Sequence, residues 1–379
     1  MHAAWMMGHG LRAWTDSRCD SVIELFRMKQ RPEKREVTII SRRMPHHSRF
    51  SGYDRLVDYI EGHIISPPSQ WTLPKKLAGR ICSPLVKHSG CRWYHREGMI
   101  TEMSAVRQWL SSRKRVFHFL YGENSFRYLG AMKAVDRQNR IVCTYHTPPE
   151  KFLDGIRKRE FIKRLDALVV VSTMQMEMFS SLIDPERIYF VPHGVDVQYF
   201  RPVEKTGSAD DVFRCLFVGS HLRDMDTLAE SARILGEYAP HIMIRVITSP
   251  DYHVHFKGLG NVEVLSGVSD DQLLKYYQTA DLFLLPLIEC TANNGLLEAM
   301  SCGLPIISTD LQGVRDYVDE RCAVLARRGE PEAFTEMVLA VAGDGEKRAA
   351  MAKASREQAH SFSWDVIAKK MCRLYDDLA

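Results

Sequence analysis

LLPLIECTANNGLLEAMSCGLPIIST, residues 284–309, holds the fold in miniature. An apolar run stops at Pro286, and Glu289 follows at once. A short helix is expected from about Asn293, carrying Glu298 and closed by Cys302-Gly303 before a second apolar run at Leu304. Asn293 or Asn294 suits the N-cap, and Gly295 would let a ligand approach the backbone. In such a strand–helix–strand unit the ligand sits beyond the strand's carboxyl end, where helix amides are unpaired. Those amides favour an anion such as a diphosphate. A carboxylate beside them repels phosphate, so Glu298 is better suited to accept hydrogen bonds from hydroxyls. Phosphate and polyol together describe a nucleotide sugar. The plainer reading is that Glu298 only favours the helix start and Glu289 is solvated.

Outward from this unit, apolar runs alternate with helical segments. The first set is Val37–Ile40, Val116–Leu120, Ile141–Thr144, Leu168–Val171 and Ile188–Val191; the second is Phe213–Val218, Ile242–Ile247, Val262–Leu265, Leu282–Leu285 and Leu304–Ile307. Doubly apolar, β-branched strands between helices imply parallel sheets covered on both faces. Residues 201–211 are polar, carry Pro and Gly, and separate the two sets. The expected architecture is α/β, with two doubly wound Rossmann-like domains, 36–200 and 201–355, and a cleft between them. Residues 1–35 mix Met, Trp and charge without a period and read either as a loose leader or as a docked helix.

Composition narrows the class. The chain has 379 residues, 45% hydrophobic, and a net charge of +4, too mild to call for nucleic acid by itself. Nine scattered cysteines with no CxxC read as reduced cytosolic thiols. No apolar run approaches the ~20 residues of a membrane span, and no signal-like h-region opens the chain. The expected location is cytoplasmic, including the inner membrane face.

The region from 188 to 318 resembles retaining glycosyltransferases of the GT-B fold, glycosyltransferase family 4. Glu298-Ala-Met-Ser-Cys-Gly-Leu-Pro-Ile-Ile307 is similar to the family's run after its second acid. Gly267-Val-Ser-Asp-Asp-Gln-Leu273, Tyr277 and Ala280–Pro286 resemble the preceding segment, and Val191-Pro-His-Gly-Val-Asp196 with Phe200 resembles the hinge entry, His193 replacing Asn. Ser361-Phe-Ser-Trp364 and Tyr375 resemble the C-terminal helix, which in this fold crosses back onto the first domain, so 356–379 is assigned to it. The resemblance implies transfer of a sugar from a nucleotide donor, with retention, in a polysaccharide or glycoconjugate pathway, to a glycan or lipid-linked acceptor. It implies no metal and no cofactor beyond the donor.

By resemblance, Glu298 holds the ribose hydroxyls and Glu289 the transferred sugar. Thr291 and Asn293 to Gly295 lend groups to phosphate or sugar, Ser266-Gly267 border the base, and His146 stands near the reacting centre. Gly219, ending a strand, and Gly52, in Ser51-Gly52-Tyr53, lie near the donor; Ser51 alternatively caps a helix. Two departures stand out. Glu289 and Glu298 are one residue further apart than the family's acid pair. The family's phosphate-binding Arg and Lys are replaced by Ser220 and Met225, leaving Arg223 and His221 to supply the charge.

Residues 62–96 carry Lys75, Lys76, Arg80, Lys87, Arg92 and Arg96, no acid, and Trp71, Trp93 and Tyr94. Basic residues with aromatics suit an anionic membrane surface or a lipid-diphosphate acceptor, and also RNA stacking; a solvated basic face with some buried aromatics is the bland alternative. Other readings of the whole chain stay open: a catalytically weakened scaffold subunit, or an epimerase of the same fold. A pyridoxal-dependent phosphorylase lacks its lysine site, and a dinucleotide dehydrogenase lacks a GxGxxG after a first strand.

Overall fold

The computed structural model describes residues 35–44, 48–67, 75–204 and 212–378, with 75–81 as backbone only. The expected leader therefore lies outside the described residues apart from Arg35, as do Trp71 and the side chains of Lys75, Lys76 and Arg80.

Among the described residues, twelve strands form two all-parallel sheets. The first runs β2-β1-β3-β4-β5-β6, with β1 Glu36–Ile40, β2 His63–Ile65, β3 Arg115–Phe119, β4 Arg140–Tyr145, β5 Ala167–Val170 and β6 Ile188–Phe190. The second runs β12-β11-β10-β7-β8-β9, with β7 Phe213–Val218, β8 Ile242–Ile247, β9 Val262–Leu265, β10 Leu282–Leu285, β11 Ile306–Thr309 and β12 Ala323–Ala326. All ten expected strands are present within a residue or two. β2 and β12 were not anticipated: three and four residues long at sheet edges, they are too short to show a period.

Strand alternation sorts side chains onto two faces. In the first sheet Ile40, Phe117, Phe119, Ile141 and Tyr145 face one core together with Trp109 and Phe152. Val37, Ile39, Val116, Val142 and Val169 face the other. That second face is covered by the helix Trp364–Asp377, through Trp364, Ile367, Met371, Leu374 and Tyr375. The helix reaches it by a crossing: Val195 N donates to Phe362 O at 2.9 Å and Trp364 N to Val195 O at 3.3 Å, pairing the outgoing and returning strands of chain. A Cβ at Gly194 would stand 2.4 Å from the Trp364 ring, so this position accepts only glycine.

Each sheet has one place where the order of winding reverses, between β1 and β3 and between β7 and β10. Loops diverging from such a point leave a crevice at the strands' carboxyl ends. The carboxyl ends of the two sheets face each other, joined by loops there: Thr291 Oγ1, after β10, donates to His146 O, after β4, at 2.6 Å; Ser51 Oγ, after β1, donates to Glu298; and Arg49 N donates to Asp270 Oδ2, after β9, at 2.9 Å. Behind the cleft, Asp316 accepts from Ser172 Oγ, Thr173 N and Thr173 Oγ1 at 2.6, 2.8 and 2.7 Å.

Candidate active site

The second domain's half of the site is built on the β7–β10 crevice. The helix Asn294–Ser301 starts at Asn293, whose side chain accepts from Leu296 N at 3.1 Å; of the two asparagines considered, Asn293 is the cap. Capping leaves the first helical amides, including those of Asn294 and Gly295, without partners inside the helix. Gly295 turns its Cα face inward: a Cβ there would lie 3.5 Å from Tyr277 Oη and Phe283, so the close approach it permits is to its own domain.

Glu298 is 5% exposed and one turn into that helix. Its Oε2 accepts from Tyr277 Oη at 2.9 Å, and its Oε1 accepts from Ser51 Oγ across the cleft. Both oxygens are therefore engaged by protein hydroxyls. Ser51 does not cap a helix; Gly52 holds that position with φ 101°, before the 3-10 helix Tyr53–Asp58. Only glycine adopts that backbone readily.

Arg223 lies beside the cap. Its guanidinium donates to Asn293 Oδ1 at 3.2 Å, to Val218 O at 3.1 Å and to His221 O at 3.1 Å. Burial holds it below its ordinary pKa, while Cys290, Tyr277 and Glu298 pull it back up. Gly219, φ 104°, makes room: a Cβ there would come within 2.7 Å of Arg223 Nη2. The next turn is tight, with Leu222 at φ 57°, and is pinned by Ile288 N donating to Leu222 O at 3.0 Å. A cation thus reaches the helix N-terminus although the two expected positions hold none. Ser220 instead bonds Ser249 Oγ at 2.7 Å, and Met225 is core. His221 is exposed on the same loop.

Glu289 stands on the cleft side of the β10 loop, half-buried, its carboxyl raised by burial and acted on by Lys151, Glu150 and Arg328. The residue one position on, Cys290, turns the other way and is buried against Gly313. The single-residue offset noted in the sequence thus places a buried thiol, its pKa pushed up to about 12 by burial, in the inward position. Thr291 is buried and spends its hydroxyl on His146 O. Ser266 donates to Thr248 O and contacts His253 Nε2 at 2.7 Å, with Gly267 exposed beside it at φ 66°.

The first domain contributes His146, just past β4. Its ring lies between Tyr53 and Tyr121, with centroids 4.8 and 4.7 Å away. Both ring nitrogens are buried without a hydrogen bond; Nδ1 is 3.6 Å from Glu123 Oε1. Glu123, 5% exposed, accepts from His146 N and Thr147 Oγ1, both at 3.1 Å. Burial raises its carboxyl, but His146 and the surrounding amides outweigh that and hold it below the usual range. Glu123 was missed in the sequence, though it follows the end of β3 as His146 follows the end of β4, and the same rule applied there finds it.

Two aromatics of the basic segment pack against the first domain. Tyr94 is fully buried, its hydroxyl on buried Glu102, and Trp93 packs its ring on Gly155. Tyr94 sits in a small cluster with Cys82 and Met99, while Trp93 is half-buried against the first domain's core. No helix among the described residues is long and apolar enough to cross a membrane.

Residues 31–199 match the Glycosyltransferase Family 4 model, and residues 212–357 match the model for Glycosyl transferases group 1. The chain belongs to glycosyltransferase family 4. D-inositol 3-phosphate glycosyltransferase of Stackebrandtia nassauensis is 24% identical over 60% of this chain and 58% of its own length. That of Geodermatophilus obscurus is 27% identical over 51% of this chain and 48% of its own, so the chain spans only about half the length of these curated relatives. That of Thermomonospora curvata is 22% identical over 83% and 80%. Among solved structures, sucrose-phosphate synthase of Thermosynechococcus elongatus superposes with TM-score 0.68 at 16% identity, covering 91% of this family 4 chain and 99% of its own. Anabaena HepE in complex with UDP and glucose gives 0.63 at 12%, covering 90% and 99%. These likenesses establish the two-domain GT-B fold.

Proposed function

We propose that the chain transfers a sugar from a nucleotide-diphosphate donor to a hydroxyl acceptor with retention at the anomeric carbon. The observation that carries this reading is the clustering of Glu298, Arg223 and the capped helix start at one crevice, opposite His146 and Glu123 at the other. Glu298 accepts the ribose hydroxyls in place of Ser51. The diphosphate lies at the amides of Asn294 and Gly295 with Arg223 beside it, and the charge that develops as the sugar–phosphate bond breaks is met there. The acceptor oxygen bonds to the anomeric carbon on the face the diphosphate leaves, and its proton passes to a leaving phosphate oxygen, so no metal is required. His146 and Glu289 bind the transferred sugar's hydroxyls. Ser266-Gly267 border the base.

Relatives named for D-inositol 3-phosphate make a small phosphorylated polyol one acceptor to test, beside glycan and lipid-linked acceptors. The test is a thermal-shift screen of UDP-, GDP- and ADP-sugars, followed by donor hydrolysis. A donor at ~100 times its dissociation constant adds about 2.7 kcal/mol of stability. Failure of every donor to stabilise the chain, or stabilisation unchanged in Glu298→Ala, overturns the assignment. Stabilisation with no hydrolysis or transfer would point instead to the inert scaffold.

A further inference from the structure

We propose that a basic groove on the first domain, at the opposite end of its sheet from the cleft, is a binding site for a small phosphate-bearing anion. The groove is about 750 Å3 and is lined by Lys133, Arg137, Arg140, Lys163, Arg164 and Asp166. It lies at the amino ends of β4 and β5: Arg140 opens β4, whose other end leads to His146, and Asp166 immediately precedes β5. It is therefore a strand's length from the donor crevice.

Its charge is not balanced internally. Asp166 is the one carboxylate among the lining residues, and it is committed to Lys133 Nζ and Ile141 N, both at 2.7 Å. Among the described residues, Arg137, Arg140, Lys163 and Arg164 have no carboxylate partner within ion-pair distance. Arg140 is fixed in place, with Nε on Leu378 O at 3.1 Å and Nη1 on Arg137 O at 2.9 Å. The stem of Arg164 is laid against Gly130, where a Cβ would come within 2.8 Å of it. Lys133 and Arg35 are both held below their ordinary pKa values, by burial first, with the charge of Arg140 adding to it. Cations gathered in a concave wall repel one another and concentrate anions. Guanidinium forks match phosphate oxygens in geometry as well as charge.

The lining holds no aromatic side chain, so a single nucleic-acid strand would find no stacking platform. A volume within the small-ligand range suits a compact anion, either a free polyphosphate or a phosphorylated headgroup. Titration calorimetry of the full chain with inorganic tripolyphosphate, at about 50 and about 300 mM salt, tests the site, and sedimentation with phosphatidylinositol-phosphate vesicles distinguishes the two sources. The wild type and Arg223→Ala should bind, more weakly at high salt. The exposed-residue variant Arg137→Glu/Lys163→Glu/Arg164→Glu should lose at least about tenfold in affinity, keep its melting temperature and keep any donor-induced shift. The control Lys347→Glu/Lys353→Glu, on the other domain, should match the wild type. Groove-dependent binding to vesicles alone assigns a headgroup. No binding of either probe, equal binding by the groove variant, loss in Arg223→Ala, or binding of an RNA oligomer alone overturns the proposal.

Discussion

Arg223 and His118 show how one side chain's setting decides its work. Arg223 is held at the helix start by donating to two carbonyls and to the oxygen of the capping asparagine, beside the proposed diphosphate. Arg223→Ala should therefore lower kcat on the order of 100-fold, the cost of losing one preorganised donor to developing charge, with a smaller change in KM; Arg223→Lys should recover part of it. Steady-state kinetics check this split. His118 is wholly buried between Tyr375 Oη at 2.6 Å and Thr144 Oγ1 at 2.8 Å. Burial first, then the nearby His146, pushes its pKa from 6.5 down to about 3. The folded ring stays neutral where the unfolded one takes up a proton. Its contribution is full above pH 6.5 and is lost as pH falls toward 3, at up to about 1.4 kcal/mol per pH unit. Denaturant midpoints of wild type and His118→Gln should converge on acidification through that window.

At the scale of elements, the returning helix is held by a contact that sequence order hides. Gly194 and Trp364 lie at the two crossings of the chain, and the ring occupies the space a Cβ would need. Gly194→Ala should destabilise by a few kcal/mol through overpacking. Trp364→Leu in the same chain should relieve part of that loss, so the double-mutant cycle measured by chemical unfolding should show a favourable coupling beyond about 0.5 kcal/mol. The helix Asn294–Ser301 makes the complementary case. Its start is legible in the sequence because an asparagine cap is a local device. The carboxylate it presents is also legible, being one turn on, but its partners Tyr277 and Ser51 are not, since both arrive from other elements.

At the scale of the molecule, the two domains are joined by contacts that straddle the cleft and its back wall. Asp316 carries three hydrogen bonds from Ser172 and Thr173, and Tyr317 Oη donates to Val171 O at 2.6 Å while accepting from His193 N at 2.9 Å. Asp316→Ala strands those donors and should cost about 1–3 kcal/mol. It should also widen the interdomain distance distribution read by small-angle scattering or a pair of spin labels, while Arg233→Ala, in an exposed intrahelical pair, should leave that distribution as it is.

The chain's own order of residues determined the periodicities and therefore the two parallel sheets, because strand and helix patterns act over a few residues and both sheet faces must be covered. It also determined which loops follow strand ends, which made Glu298 a candidate, while His146 and Arg223 rest on the resemblance to family 4. Only the tertiary structure decided what those groups meet: Ser51 at Glu298, Glu123 beneath His146, Gly219 yielding space to Arg223, and Cys290 rather than Glu289 turned inward. Burial of Tyr94 in the basic segment belongs there too. Such pairings join residues far apart in the chain, and their geometry is set by packing, which no local pattern records.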